Sequence, residues 1–115
     1  MKKVNKITNS LIKFRNERDW KQFHTPKDMA LSLTLEVSEL LEHFQWKNEA
    51  EIEKYLLTNK DDVGEELADV LYWVLIMGND FHIDVFNALE KKIQKNILKY
   101  PVKKSKGNSV KYNKL

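Results

Sequence analysis

Two pairs of acidic residues with the same spacing lie inside the two most apolar stretches of this 115-residue sequence. They are Glu36 with Glu39 and Glu66 with Asp69, and Leu and Val surround both pairs. In an α-helix, residues three apart lie on one face, so each pair sets two carboxylates side by side. A helix with acids between apolar stripes is expected to turn that face towards another helix. The sequence therefore predicts two packed helices with their acidic pairs facing the same cavity.

The scarcity of chain breakers extends this prediction to the whole chain. Only three Gly and two Pro occur, which favours helices joined by short loops and argues against a sandwich or barrel rich in turns. We predict an all-α antiparallel four-helix bundle that assembles as a dimer or tetramer. Residues 1–100 are expected to form a single helical domain, and residues 101–115 a basic C-terminal tail.

Apolar periodicity and capping residues predict where the helices begin and end. Thr25 is a predicted N-cap followed by Pro26, Asp84 is a second N-cap, and Pro101 is expected to stop the last helix. The predicted helices cover residues 4–17, 26–45, 61–79 and 85–100, with a short helix between 47 and 60.

Composition also bounds the chemistry and the location. No Cys is present, so disulfides and thiolate zinc sites are excluded and any metal must take oxygen or nitrogen ligands. The longest apolar run, residues 70–77, is shorter than the roughly 20 residues of a membrane helix, and the Lys-rich start does not resemble a signal peptide. We expect a soluble, cytoplasmic protein with no membrane partner.

Charge is divided unevenly along the chain. Residues 91–115 carry nine Lys and no acid, whereas residues 1–90 hold 11 basic and 17 acidic groups. A Lys-rich end is either simply solvated or in contact with phosphate groups or nucleic acid. The second interpretation gives an alternative function, that of a non-catalytic helical adaptor that binds nucleic acid through its tail.

Four converging carboxylates need to be neutralised. A like-charge contact near 4 Å costs about 4 kcal/mol at an effective dielectric constant of 20, so protonation, Lys partners or a divalent cation must compensate. Oxygen ligands on rigid helices favour Mg²⁺, with Mn²⁺ possible, and such an ion suits phosphoryl chemistry. The competing interpretation is that the acids are solvated and pair with Lys along their own helices. A di-iron bundle does not fit, because no Glu-x-x-His motif occurs.

Aromatic and basic residues near these pairs offer substrate contacts. Trp20, Trp46 and Trp73 are candidates to stack on a nucleobase, although aromatic residues at such spacing also build ordinary cores. Lys92 and Asn96 share one face of the last helix and could meet phosphate oxygens, or could simply be solvated.

Four stretches give the chain a strong resemblance to a known family. They read FRNERDWKQFH (14–24), LEVSELLEHFQW (35–46), EELADV (65–70) and KYPV (99–102). With them, nearly the whole chain resembles the MazG-like all-α nucleoside triphosphate pyrophosphohydrolases, and within that superfamily the dCTP pyrophosphatase type. Two positions depart from the pattern: Asp28 stands where relatives commonly have Asn, and Trp73 where the dCTP type has Tyr.

The resemblance implies a function and assigns roles to residues. It implies that Glu36, Glu39, Glu66 and Asp69 bind Mg²⁺, and that a water activated by the ion cleaves a (deoxy)nucleoside triphosphate into the monophosphate and pyrophosphate. It places the base among the three tryptophans and puts Asn96, with Lys92 nearby, in contact with substrate. It also implies a homo-oligomer and a house-cleaning role on the nucleotide pool with a pyrimidine, dCTP-like preference.

Overall fold

The computed structural model describes residues 2–114, and within them every regular element is helical. The all-α prediction is therefore confirmed. The elements are α1 (Lys2–Glu17), a 3₁₀ turn (Lys21–Phe23), α2 (Pro26–Glu42), α3 (Glu49–Thr58), α4 (Lys60–Asp80), α5 (Val85–Lys99), α6 (Val102–Ser105) and a second 3₁₀ turn (Tyr112–Lys114). They fall into two compact units, one reaching to His82 and one starting at Ile83. The predicted domain boundary near residue 100 stays a prediction.

Side-chain caps fix several helix starts. Thr25 Oγ1 accepts a hydrogen bond of 3.1 Å from the backbone N–H of Asp28, and Pro26 occupies the first turn of α2. Asp84 Oδ1 likewise accepts from the N–H of Asn87 at 3.0 Å. Both predicted N-caps are confirmed, because a short polar side chain satisfies a backbone donor that the first helical turn leaves free. Helix α2 ends earlier than the predicted residue 45, since the chain turns after Glu42.

Helix α4 is the centre of the first unit and packs against α1, α2 and α3. Its first half faces the middle of α2 through the acidic pairs, while Asn79 at its end and Pro26 at the start of α2 line one cavity. Helices α2 and α4 are therefore antiparallel. The buried apolar side chains of the core are Met29, Val63, Leu75 and Ile76.

A buried ion pair ties α1 to the end of α4. The guanidinium of Arg15, which is 1% exposed, donates hydrogen bonds of 2.7 and 2.9 Å to the two carboxylate oxygens of Asp80. Paired, fork-to-fork geometry of this kind satisfies both charges away from water. The pair fixes the register of α1 on α4 across 65 residues of sequence.

The second unit folds its end back onto α5. The rings of Tyr100 and Tyr112 meet edge to face with centroids 6.1 Å apart, and Lys99 Nζ lies 4.6 Å from the centroid of the Tyr112 ring. Gly107, with φ of +82°, provides the left-handed residue after α6 that the turn requires. The predicted basic tail thus contains the short helix α6 and a 3₁₀ turn within its described part.

Among the described residues, large apolar side chains remain exposed on several helices. Leu35 and Leu41 on α2, Leu67 on α4, and Ile97 and Leu98 on α5 are each more than half exposed. Much of the periodic apolar surface that predicted the helices is therefore uncovered in a single chain. Among the described residues, no helix is long and apolar enough to cross a membrane.

Candidate metal centre

The antiparallel packing of α2 and α4 brings together the four acids that the sequence singled out. One carboxylate oxygen from each of Glu36, Glu39, Glu66 and Asp69 lies within 4.8 Å of the others. Glu36 and Glu66 are half-buried, whereas Glu39 and Asp69 are exposed. The cluster therefore has two inner carboxylates against the helix interface and two outer ones open to solvent.

The inner carboxylates are incompletely satisfied. Oε2 of Glu36 and Oε2 of Glu66 are shut off from solvent and have no hydrogen-bond partner among residues 2–114. An unpaired buried oxygen of this kind is costly, because water has been removed and nothing replaces it. Such an arrangement requires a proton or a cation between the carboxylates.

The local environment raises the pKa of both inner acids. Burial, a hydrogen bond with Glu39, and the negative charge of Asp69 are the leading causes that raise the pKa of Glu36 to about 7. Burial, then a hydrogen bond with Glu39, also raises the pKa of Glu66, while the nearby His43 works in the opposite direction. With a pKa of about 7, Glu36 is partly protonated near neutral pH.

The donor set fits a hard divalent cation. Mg²⁺ and Mn²⁺ prefer oxygen ligands, and the cluster offers four carboxylates within reach of one point, two of them with orphaned oxygens aimed inward. A cation there would satisfy the buried oxygens and offset the repulsion among the four carboxylates. The residues present therefore fit a metal ion of this class.

The three tryptophans occupy different surroundings. Trp73 is half-buried one turn after Asp69, with its ring edge-to-face against Tyr72 and His24. Trp20 packs on Phe14 with ring centroids 5.5 Å apart. Trp46 is 92% exposed and has a φ of +70°, a left-handed conformation that is unfavourable for a bulky residue. Only Trp73 shares a helix with the acids.

Lys92 and Asn96 lie in the second unit, on α5, and both side chains are exposed. They are one helical turn apart, as the sequence pattern required. Their place relative to the acidic cluster stays a prediction.

Two polar clusters were not predicted from the sequence. The first is the Arg15–Asp80 pair, with His24 Nδ1 lying 3.4 Å from Arg15 Nη1. The signal that could have revealed it is a basic residue on the apolar face of α1, one turn after Leu11.

The second cluster lies at the end of α2. There, Nδ1 of His43 is hydrogen-bonded to the hydroxyl of Tyr55, and Lys47 Nζ donates to the His43 carbonyl at 2.8 Å while lying 4.4 Å from the centroid of the Tyr55 ring. This cluster anchors α3 against the end of α2, beside Glu66. The contact between His43 and Tyr55 joins residues 12 apart in sequence, so no local pattern signals it.

Comparisons with known proteins agree with this arrangement. Residues 31–115 match the model of the MazG-like family. The chain is 40% identical over 104 residues to dCTP pyrophosphatase 1 of Rattus norvegicus and 36% identical over 104 residues to that of Homo sapiens, with 89% of the chain covered in each case. It spans 61% of the length of both relatives.

A solved structure is similar as well. It is a pyrophosphatase from Archaeoglobus fulgidus, with a TM-score of 0.81, 40% sequence identity, and coverage of 84% of this chain and 91% of that one. The likeness therefore extends over most of the fold.

Proposed function

The chain belongs to the MazG-like family, and on that premise we propose that it is a nucleotide pyrophosphohydrolase that converts (deoxy)nucleoside triphosphates into the monophosphate and pyrophosphate. The observation that carries the proposal is the convergence of four carboxylates with two orphaned oxygens in an otherwise apolar helix interface. Fold stability gives no reason to place uncompensated acids there. The names of the relatives, dCTP pyrophosphatase 1 and a pyrophosphatase, support the same reaction class.

We assign Glu36, Glu39, Glu66 and Asp69 as the ligands of Mg²⁺, with Mn²⁺ as an acceptable substitute. When bound, the ion would neutralise phosphate charge and lower the pKa of a water that can attack phosphorus. Because the pKa values of Glu36 and Glu66 are raised, a cation would compete with protons at these two carboxylates. Glu39 and Asp69 lie exposed at the open side of the cluster, where they can accept hydrogen bonds from water.

We assign the base to the tryptophans and the phosphates to α5. Trp73 is one turn from Asp69, which places an aromatic ring beside the cluster, and the exposed indole of Trp46 is free to stack. Lys92 and Asn96 are assigned to substrate phosphates or sugar. The dCTP pyrophosphatase relatives support a pyrimidine, dCTP-like preference and a house-cleaning role on the nucleotide pool.

We propose that the enzyme is a homo-oligomer, either a dimer or a tetramer. The support is the exposed apolar surface on α2, α4 and α5, which is more than a stable monomer normally leaves uncovered. A cytoplasmic location stays a prediction from the sequence.

A panel of nucleoside triphosphates tests the reaction and the substrate together. The full chain is incubated with each triphosphate and Mg²⁺, and the monophosphate and pyrophosphate are quantified. We expect equal amounts of both products, fastest release from dCTP, and no release when Mg²⁺ is chelated. Release of inorganic phosphate instead of pyrophosphate, or no hydrolysis of any triphosphate with either Mg²⁺ or Mn²⁺, would refute the proposal.

The competing function, a nucleic-acid adaptor, is tested on the same full-length protein. The side chains of Lys103, Lys104 and Lys106 are exposed or half-exposed, and replacing all three with Gln removes their charge while leaving the chain intact. The adaptor predicts binding of DNA or RNA that weakens with salt and is lost in this variant. We expect no such binding, and we expect hydrolysis by the variant to continue.

A further inference from the structure

The Arg15–Asp80 pair has a third member. Nη1 of Arg15 donates to Asp80 Oδ2 at 2.7 Å and lies 3.4 Å from Nδ1 of His24. A guanidinium has only hydrogen-bond donors, so a hydrogen bond to this ring requires Nδ1 to act as the acceptor. In a neutral imidazole, the proton then sits on Nε2.

The charges around His24 favour the neutral ring. Burial, and then the positive charge of Arg15, lower the pKa of His24 below its ordinary 6.5, while Asp80 acts in the opposite direction. The cavity that His24 lines also contains Lys21 and His82, and any positive charge on them disfavours a second proton further. Asp80 is the acid in this group, and Arg15 engages both of its oxygens.

The His24 ring also contacts the ring of Trp73. The centroids of His24 and Trp73 are 5.1 Å apart, with the rings inclined at 65°. Trp73 follows Asp69 by one turn, a rise of about 6 Å along α4. Nε2 of His24 has no hydrogen-bond partner among residues 2–114, and the ring borders a cavity of about 300 Å³.

We infer that the buried Arg15–Asp80 pair is a positioning device that holds His24 as the neutral Nε2–H tautomer against Trp73. His24 then offers a single, oriented hydrogen-bond donor to an acceptor on the nucleobase, namely a carbonyl oxygen or an unprotonated ring nitrogen. This inference rests on the proposed function for the identity of the ligand, but the state of His24 is a property of the protein alone.

Nitrogen NMR of the imidazole rings tests the positioning without any substrate. In ¹⁵N-labelled protein, His24→Gln identifies the His24 signals among those of the three histidines. We expect an unprotonated Nδ1 and a protonated Nε2 at pH 7.5, with titration below pH 6.5. A protonated Nδ1 in the native protein would overturn the inference by itself.

Removing the pair tests its role in setting that state. The double variant Arg15→Met/Asp80→Leu leaves no unpaired buried charge, so it is expected to fold. We expect mixed tautomers of His24 and titration near pH 6.5. Arg18→Met, which removes an exposed arginine from the following turn, is the matched control and should leave the His24 spectrum unchanged. An unchanged spectrum in the double variant would overturn the inference.

Kinetics of two mimics test the donor itself. The amide nitrogen of Gln reaches the place of Nε2, and that of Asn the place of Nδ1. We expect His24→Asn to raise KM for the best triphosphate about tenfold and His24→Gln about threefold or less, with kcat within about twofold for both. Equal KM values for the two mimics would contradict the donor role. If the native chain hydrolyses nothing, the proposed function fails while the NMR result still judges the positioning pair.

Discussion

Helix α4 carries two acidic sites about three turns apart, and the charges around the two sites are opposite in sign. Near its middle, Glu66 and Asp69 meet two further carboxylates, and none of the four forms a salt bridge among residues 2–114. At its end, Asp80 meets the buried guanidinium of Arg15 in a two-point ion pair. The first site brings several carboxylates together, whereas the second pairs one carboxylate with a guanidinium.

The pKa values follow this difference. At the cluster, burial and neighbouring acids raise the pKa of Glu36 to about 7. At the helix end, burial works to raise the pKa of Asp80, but the hydrogen bonds from Arg15 and Asn79 and the charge of Arg15 outweigh it, so the pKa lies below 3.8. The buried carboxylate of Asp80 is thus paired with an opposite charge. The acidic cluster is not, and it is therefore the site suited to bind a ligand.

The largest expected effect is loss of activity at the uncompensated site. Replacing Glu66 or Asp69 with Ala removes one of the four carboxylates proposed to hold the cation, so we expect pyrophosphate release to fall by at least about a hundredfold. The helical circular dichroism spectrum should be unchanged, because the cluster does not hold the helices together. Glu65→Ala, an exposed neighbour outside the cluster, is the matched control; an equal loss there would mean that the four acids are not special.

The next largest expected effect is a loss of folding stability when the ion pair between Arg15 and Asp80 is broken. Arg15→Met leaves the carboxylate of Asp80 largely buried and unpaired, and we expect the free energy of unfolding to fall by about 3 kcal/mol. Chemical denaturation at matched protein concentration measures it. Arg15→Met/Asp80→Leu should recover most of the loss, and Arg18→Met should change stability by less than about 0.5 kcal/mol. A double variant no more stable than the single one would show that the guanidinium acts mainly through packing.

A smaller effect is a pH dependence with opposite signs at the two sites. A raised pKa in the folded state means that Glu36 contributes stability that is fully present below about pH 4.5 and is lost as the pH rises to about 7. The lowered pKa of Asp80 gives the reverse, a contribution present above pH 3.8 and lost as the pH falls through its folded-state pKa. In metal-free protein, the stability of Glu36→Gln relative to the native chain should therefore rise between pH 4.5 and 7. The stability of Asp80→Asn relative to the native chain should be lower above pH 3.8 than at more acidic pH.

Mg²⁺ should compete with the same protons. We expect its affinity, measured by calorimetry, to rise as the pH approaches 7 and then to level off, because the ion displaces a proton from Glu36 below that pH. In the stability comparison above, His24 also contributes a pH dependence: because its pKa is lowered, its contribution to the free energy of unfolding falls below pH 6.5. The native chain and Glu36→Gln share this contribution, so it cancels in the difference between their free energies of unfolding. An affinity for Mg²⁺ independent of pH from 5 to 8 would contradict the predicted competition.

The smallest expected effect concerns Trp46, which neither site holds in place. Its φ of +70° is unfavourable for an indole and acceptable for Asn, so we expect Trp46→Asn to raise the free energy of unfolding by up to about 1 kcal/mol while KM for the triphosphate rises. Leu57→Asn is the control, since Leu57 is 81% exposed on the regular helix α3 and gains no relief. A stability loss in Trp46→Asn would show that the indole is packed, as it would be in an oligomer.

Local sequence signals predicted most of the fold. The caps at Thr25 and Asp84 were correct because each depends on a hydrogen bond to a backbone group only three residues away. The end of α2 was placed too late because Phe44 and Gln45 continue the helical pattern, and no proline or glycine marks the turn in which Trp46 adopts its left-handed conformation.

Local spacing in the sequence also predicted part of the candidate site. The two acidic pairs were visible because each repeats within one helical turn, and the family motifs supported them. The setting of His24 was not visible: its interactions join residues 15, 24, 73 and 80, which no periodicity connects.

By itself, the sequence determined that the chain is helical and that two carboxylates share a face on each of α2 and α4, because these properties depend on spacing of three or four residues. Only the tertiary structure decided which charges would be compensated. Arg15 meets Asp80 across 65 residues of sequence, whereas the four acids converge on one another between α2 and α4, and the partner of a buried charge is set by which helices pack together.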